Sequence, residues 1–231
     1  MKSGPSGSLQ IAIDGQTAAG KDTVAREAAA ALDCVFIDTG ALYRAAAVAV
    51  VRSSLSLDQT VDIHELLSKT RLGITIDAAA GKNHLLLNGE DVTSLLRTSE
   101  IDAVSTQLAR QKELRKHLIV LQQRIISQYR RVVVTGRGIG RTVLPEADMK
   151  VYLTADLQVR VQRRWEERVQ NGEQVTLRTI EKEILDRDRA NREREFDPDI
   201  PTQDAVCIDT TGRSIASVSQ EIIELARVWC L

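Results

Sequence analysis

The 231-residue sequence predicts an α/β fold, a parallel sheet flanked by helices. Two observations carry that reading. Five short runs with strand character, Leu9 to Asp14, Val35 to Ile37, Arg131 to Thr135, Lys150 to Thr154 and Ala205 to Asp209, are separated by long segments with helical patterning. Within them, Val132, Val133 and Val134 are apolar at consecutive positions, which suits a central strand covered by helices on both faces. One stretch departs from the alternation. Leu72 to Asp77, the AAAGK turn, Asn83 to Asn88, Gly89-Glu90 and Asp91 to Thr93 read as a small antiparallel meander inserted between helices.

Composition narrows the function classes. The chain has 31 Lys+Arg against 32 Asp+Glu, a formal net charge of −1, and its aromatics are two Phe, two Trp and three Tyr. That balance argues against a nucleic-acid polymer as partner, since there is neither a basic excess nor a stacking surface. Cys34, Cys207 and Cys230 lie far apart with no CxxC, so no disulfide framework or zinc knuckle is written and a reduced, cytoplasmic protein is expected. The apolar run Ala45 to Val51 is flanked by Arg44 and Arg52 and is far short of the roughly 18 to 20 residues that span a bilayer. Residues 1–8 are polar and rich in Gly and Ser, and read as a flexible tail. The basic residues are skewed, 23 Arg to 8 Lys, with 16 of the arginines between Arg110 and Arg194. Arginine's planar fork pairs bidentately with phosphate or carboxylate, so the skew points to anion recognition or to ion pairing.

The first strand runs into Gly15-Gln16-Thr17-Ala18-Ala19-Gly20-Lys21-Asp22-Thr23, with a helix expected from about Lys21. This is GxxxxGK in a strand, loop and helix setting. Glycines let successive backbone N–H groups turn inward around phosphate oxygens, the helix N-terminus favours an anion, and the lysine reaches the outer phosphates. In the strict pattern Ser or Thr follows the lysine, whereas here Asp22 does and Thr23 comes one step later. No NKxD is present for guanine reading, and Gly15 to Gly20 lacks the GxGxxG spacing of dinucleotide binding. The fold expected is therefore that of a P-loop NTPase, with ligands at the carboxyl ends of the strands.

After the second strand, Asp38-Thr39-Gly40-Ala41-Leu42-Tyr43-Arg44 offers two helix-capping side chains and an arginine that can point toward an anion. With this motif, GQTAAGKDTVA, IDTGALYR, LNGEDVTSLLRTSEI, GRGIG followed by LPEAD, and DAVCIDTTG stand in the order and spacing of bacterial-type cytidylate kinase. The chain resembles that family from about Gln10 to Leu225. The resemblance implies transfer of the γ-phosphoryl of ATP to CMP or dCMP with Mg²⁺, by a monomer acting on small nucleotides. It divides the chain into core (9–69), a monophosphate-binding insertion (70–110), core (111–155), a helical lid (156–195) and core (196–231).

Carried over residue by residue, the resemblance assigns the loop Gly15, Gln16, Thr17, Ala18, Ala19, Gly20, Lys21, Asp22 and Thr23 to ATP, with Thr23 toward the metal, directly or through water. Asp38, Thr39 and Arg44 belong to the acceptor phosphate, and Thr106 and Arg115 to the cytosine. Arg137, Arg187 and Arg194 would contact acceptor phosphates or bridge the substrates, which with Lys21 makes them the catalytic set. Helix geometry supports part of this independently. Arg187, Asn191 and Arg194 share one face of a helix, while Arg189 and Arg192 turn to another. Arg160, Arg163, Arg164 and Arg168 likewise form one stripe, suited to closing over phosphates, which gives Arg160, Arg163 and Arg164 to ATP, or else to pairing with nearby glutamates.

Five positions depart from the family pattern. Gly138 stands where an aspartate reads the base, Thr135 where a Walker-B-like carboxylate or amide would be, and Asn191 where an aspartate meets the ribose. Asp22 replaces a small residue, and Lys112 a proline. Glycine cannot accept a hydrogen bond from an exocyclic amine through a side chain, so Gly138 leaves base selectivity open. Two alternatives follow: a kinase of the same fold with another acceptor, or a nucleotide-binding protein with impaired catalysis. His64, His84 and His117 lie outside every motif and are expected to be structural or on the surface.

Overall fold

A computed structural model describes residues 7–77, 82–194 and 196–230. Most of the expected tail, and residues 78–81 of the AAAGK turn, lie outside them. Five parallel strands form the sheet in the order β2-β6-β1-β7-β8: β1 (Leu9–Gly15), β2 (Val35–Asp38), β6 (Arg131–Thr135), β7 (Met149–Thr154) and β8 (Val206–Asp209). Each begins or ends within a residue of its sequence expectation. The chain leaves β1 for β2 on one side of the sheet and later crosses from β6 to β7 on the other, so the loop after β1 opens at the switch point where open α/β sheets hold ligands.

Alternation along the strands builds two cores. Val132 and Val134 of β6 face one hydrophobic cluster and Val133 the other, and all three are fully buried. In β1, Ala12 faces the first cluster while Ile11 and Ile13 face the second. Burying a side chain of this size contributes about 1.5–3 kcal/mol, and a strand buried on both faces gains it at every position. Helices α1 (Lys21–Ala31) and α8 (Ile215–Cys230) cover the second face. Helices α2 (Gly40–Ser53), α3 (Thr60–Lys69), α4 (Ser99–Leu108) and α5 (Lys112–Ile126) build the first. The apolar run of α2 is explained by its position: Ala45 through Val50 are all buried, with neighbours on every side of the helix.

The meander forms as read, from β3 (Leu72–Asp77), β4 (Lys82–Leu87) and β5 (Glu90–Asp91), antiparallel in that order. Leu85, Leu87 and Val92 bury it against α2. The expected lid is a pair of helices, α6 (Leu157–Gln170) and α7 (Leu177–Arg192), closed on their own small core of Val161, Ile180 and Ile184. No helix among the described residues is long and apolar enough to cross a membrane.

Candidate active site

β1 ends at Gly15, whose φ of +143° lets the chain press against β7: a Cβ here would overlap the Leu153 backbone. Ala18 and Gly20, at φ +61° and +88°, then turn the loop into α1. No side chain caps this helix, so the N–H groups of its first turn have no side-chain acceptor. Lys21 Nζ donates to the carbonyls of Gly15 and Gln16 at 2.8 and 2.7 Å. Burial, reinforced by the Arg137 cation, pushes its pKa down to about 8.

Asp22 and Thr135, two departures from the family pattern, are in contact. Thr135 Oγ1 donates to Asp22 Oδ1 at 2.9 Å, across 113 residues of sequence. The carboxylate that β6 lacks at its end is thus supplied from the first turn of α1. Thr23 is exposed, and its hydroxyl makes no hydrogen bond among the described residues. Asp14, near the end of β1, accepts from the backbone N–H groups of Ile139 and Gly140, both at 2.8 Å, and so ties the GRGIG segment to the loop. That segment is a π-helical turn, Ile139–Val143, which the sequence did not announce. Burial raises the Asp14 pKa, opposed by the two N–H donors.

On the acceptor side, Asp38 accepts from the Ala41 N–H at 3.3 Å and pairs with Arg44 at 2.7 Å. Thr39 does not cap α2; its buried hydroxyl donates to the Thr135 carbonyl at 2.8 Å, because β2 and β6 are paired neighbours and that oxygen lies within reach. Thr106 Oγ1 donates to the Asp102 carbonyl one turn back, at 2.8 Å. Arg115 is buried, ion-paired to Asp197, and sits 5.8 Å from the centre of the Tyr43 ring. Arg137 pairs with Asp199 and donates to Thr17 Oγ1 at 2.8 Å.

Arg187 and Asn191 are half-buried on one face of α7, with Arg194 just beyond its end, whereas Arg189 and Arg192 are exposed. Arg187 has no hydrogen bond or ion pair among the described residues. Burial first, and then Arg137, lower its pKa to about 10, opposed by the Asp102 carboxylate; Arg44 and Arg164 push it down further. Arg194, which donates to the Asn191 carbonyl at 3.1 Å, is also lowered to about 10, by burial and by Arg115 and Arg137. Arg44 Nε, Asn191 Nδ2 and Arg194 Nη2 are buried donors without an acceptor among the described residues. Such groups cost about 1–3 kcal/mol each when unmet, so this face calls for oxygen-rich, anionic company.

The stripe on α6 is present, but its guanidiniums have protein partners. Arg160 pairs with Asp188 at 2.5 Å and donates to the Thr17 carbonyl at 3.2 Å. Arg163 donates to the Thr210 hydroxyl and carbonyl at 2.9 and 2.8 Å. Arg164 pairs with Glu167 and with Asp102 of α4, and Arg168 with Glu173 and Glu183. Sequence reasoning missed the carboxylates that organise the site: Asp14, which holds the GRGIG backbone, and Asp188, Asp197 and Asp199, which pair with Arg160, Arg115 and Arg137. Asp188 accepts from the Thr17 N–H and hydroxyl at 3.2 and 2.7 Å, linking α7 to the loop. The available signal was the pair of aspartates around Pro198, just past an arginine-rich helix. The histidines stay outside the site: His64 and His117 meet edge-on with ring centres 6.4 Å apart, and His84 lies 2.9 Å from Asp91.

A phosphate-type loop, a cation cluster opposite it and an inserted three-stranded sheet are therefore assembled in one chain, and comparison with known proteins gives the combination a family. A solved structure of an uncharacterized protein from Eubacterium ventriosum superposes with a TM-score of 0.52 over 96% of this chain and 99% of that one, at 13% identity, a likeness of fold alone. A cytidylate kinase of Carboxydothermus hydrogenoformans is 40% identical over 217 residues, 94% of this chain and 96% of that protein. The cytidylate kinase of Bacillus subtilis is 38% identical over 216 residues, covering 94% and 95%. The family model described as cytidylate kinase matches residues 11–228. With that match spanning nearly the whole chain, and the loop, insertion and arginine face all inside it, the chain belongs to the cytidylate kinase family.

Proposed function

We propose that this chain transfers the γ-phosphoryl group of ATP to CMP or dCMP, giving CDP or dCDP and ADP. The observation that carries the reading is the set of buried donors without acceptors among the described residues, Arg44 Nε, Asn191 Nδ2 and Arg194 Nη2, together with Arg187, which has no ion-pair partner among them. An acceptor nucleotide with its phosphate supplies the oxygens these groups lack. The loop from Gly15 to Thr23 holds ATP through backbone N–H groups and Lys21. Thr39, Arg44, Arg137, Arg187 and Arg194 hold the acceptor phosphate, Asn191 a ribose hydroxyl, and Thr106 and Arg115 the base.

The residues fit Mg²⁺. Asp22 is an exposed carboxylate beside the loop, hydrogen-bonded to Thr135, and one carboxylate with nucleotide phosphates and water is the usual donor set for this ion. Asp22 would hold it, oriented by the buried Thr135 hydroxyl, with Thr23 next in the chain as the second oxygen, directly or through water; when bound, the ion neutralises phosphate charge. Phosphoryl transfer spreads negative charge over the equatorial oxygens of a loose transition state, so positioned cations do most of the work. Lys21, Arg137 and Arg187 meet that charge from two sides. An acceptor phosphate is ionised at pH 7, so no general base is required, which accords with histidines placed elsewhere. The two lid helices exclude water that would otherwise take the phosphoryl group.

The same reading places the protein in the cytoplasm, as a monomer acting on small nucleotides. ADP formation with ATP, Mg²⁺ and a panel of CMP, dCMP, UMP, AMP and GMP tests it. Turnover is expected with CMP and dCMP. Turnover of another acceptor with neither of these, or ATP binding with no turnover at all, would overturn it.

A further inference from the structure

Gly138 opens the π-helical turn at φ +74°, and any Cβ placed on it would overlap the carboxylate of Asp197. The space that a side chain at 138 would fill is already occupied, from a loop 59 residues later in the chain. Asp197 is itself in the left-handed region at φ +58°, a conformation that aspartate tolerates better than most residues. Its side chain has no exposed surface. One carboxylate oxygen, Oδ2, accepts from Arg115 Nη2; the other, Oδ1, has no partner among the described residues, and neither has Arg115 Nε. Arg115 is further fixed by donating to the Arg137 carbonyl at 3.2 Å.

We infer that Asp197 is the residue that selects the base, its Oδ1 accepting an N–H from the exocyclic amine of the acceptor pyrimidine beside the Arg115 donors. The inference rests on the reading of the chain as a pyrimidine monophosphate kinase. A buried carboxylate with one oxygen satisfied and the other bare is destabilising unless a ligand donor meets it. Next to it the Arg115 guanidinium offers donors only, so the pair presents acceptor beside donor. A 4-aminopyrimidine edge answers with an amine donor beside the N3 and O2 acceptors. Uracil presents a carbonyl oxygen where the amine stands, setting lone pair against carboxylate, and is rejected. The acceptor function that Gly138 cannot supply is thus moved to a different element, and Gly138 is the residue that leaves room for it.

The test compares CMP with UMP, by kcat/KM and by equilibrium binding without ATP, in the full chain. Asp197→Asn keeps an oxygen for Arg115 but turns an amide donor toward the base. It is expected to lower the CMP preference about ten- to hundredfold, the range for losing a hydrogen bond to a charged group, with UMP unchanged or improved. A parallel fall for both nucleotides, or an unchanged ratio, would overturn the assignment. Should Asp197→Asn fail to fold, as judged by thermal unfolding, the double variant Gly138→Asp with Asp197→Ser returns the carboxylate to 138 and is expected to keep the preference. Gly138→Asp alone puts two carboxylates into one space and is expected to lose Tm; wild-type Tm and selectivity in that variant would sink the proposal. Failure of the unaltered protein to use CMP would instead sink the underlying reading, so the two failures are distinguishable.

Discussion

The two helices of the lid carry the same kind of residue in opposite circumstances. On α6, Arg160, Arg164 and Arg168 each have a carboxylate partner, and Arg163 is spent on Thr210. On α7, Arg187 has no ion-pair partner among the described residues, and Arg137, Arg44 and Arg164 repel it against the pull of Asp102. Counting arginines treats the two helices alike, whereas their counterions separate them. Between these two helices, the paired cations of α6 have their electrostatic demand met inside the fold, whereas the half-buried Arg187, with no ion-pair partner among the described residues, keeps it for a ligand. Lys21 belongs with the second group, since its ammonium donates only to the carbonyls of Gly15 and Gln16.

The most severe way to probe this division is Lys21→Ala. Phosphoryl transfer should fall by about 10²–10³ or more, the range for losing a preorganised charge at the reacting oxygens. The far-ultraviolet circular dichroism should be retained, because no carboxylate is stranded. Undiminished turnover would remove Lys21 from the site.

Next in size is the contrast between Arg160→Met and Arg187→Met. Arg160→Met strands the Asp188 carboxylate beside Thr17, and breaking such a pair costs about 3 kcal/mol, so Tm should drop. Arg187→Met removes a half-buried cation that has no ion-pair partner among the described residues. Its kcat should fall about a hundredfold while Tm holds or rises by about 2–4 °C, the shift expected for about 1 kcal/mol in a chain of this size. Equal Tm losses in the two variants would erase the distinction drawn from their counterions.

The smallest effect is one of pH. Lys21 binds phosphate in its protonated form, and burial has lowered its pKa to about 8. Below that pH the free protein already carries the proton and ATP affinity is level. Above it, binding must take a proton up, and affinity should weaken by up to about tenfold per pH unit until the pKa of the bound state is reached. Calorimetry in buffers of different ionisation heat should register proton uptake at pH 9 and little at pH 7. Lys21→Ala should abolish the difference.

Much of the fold was legible because apolar strands and a glycine-rich turn are local signals. All five core strands and the meander lie within a residue or two of where hydrophobic patterning puts them. The shared face of Arg187 and Asn191 followed from helix geometry alone, and the burial of both against the exposure of Arg189 and Arg192 agrees. Thr39 shows where such reasoning stops. Its position before a helix reads as a cap, yet a neighbouring strand offers the Thr135 carbonyl, and a non-local acceptor wins. The π-helical turn was missed for the same reason, since it is tied down by Asp14 from another strand.

By itself, the sequence determined the layered α/β fold, the phosphate loop and the family, because each is written in contiguous residues whose spacing is enforced by helix and strand periods. It also showed carboxylates missing at Thr135 and Gly138 and one gained at Asp22, which read as losses and a gain at separate positions. Only the tertiary structure shows that Asp22 touches Thr135, and that Asp197 fills the space a side chain on Gly138 would take. The physical reason is that a site is defined by where charge stands in space, and a carboxylate can reach one point from two different backbone positions. Sequence records the backbone position; packing decides the point.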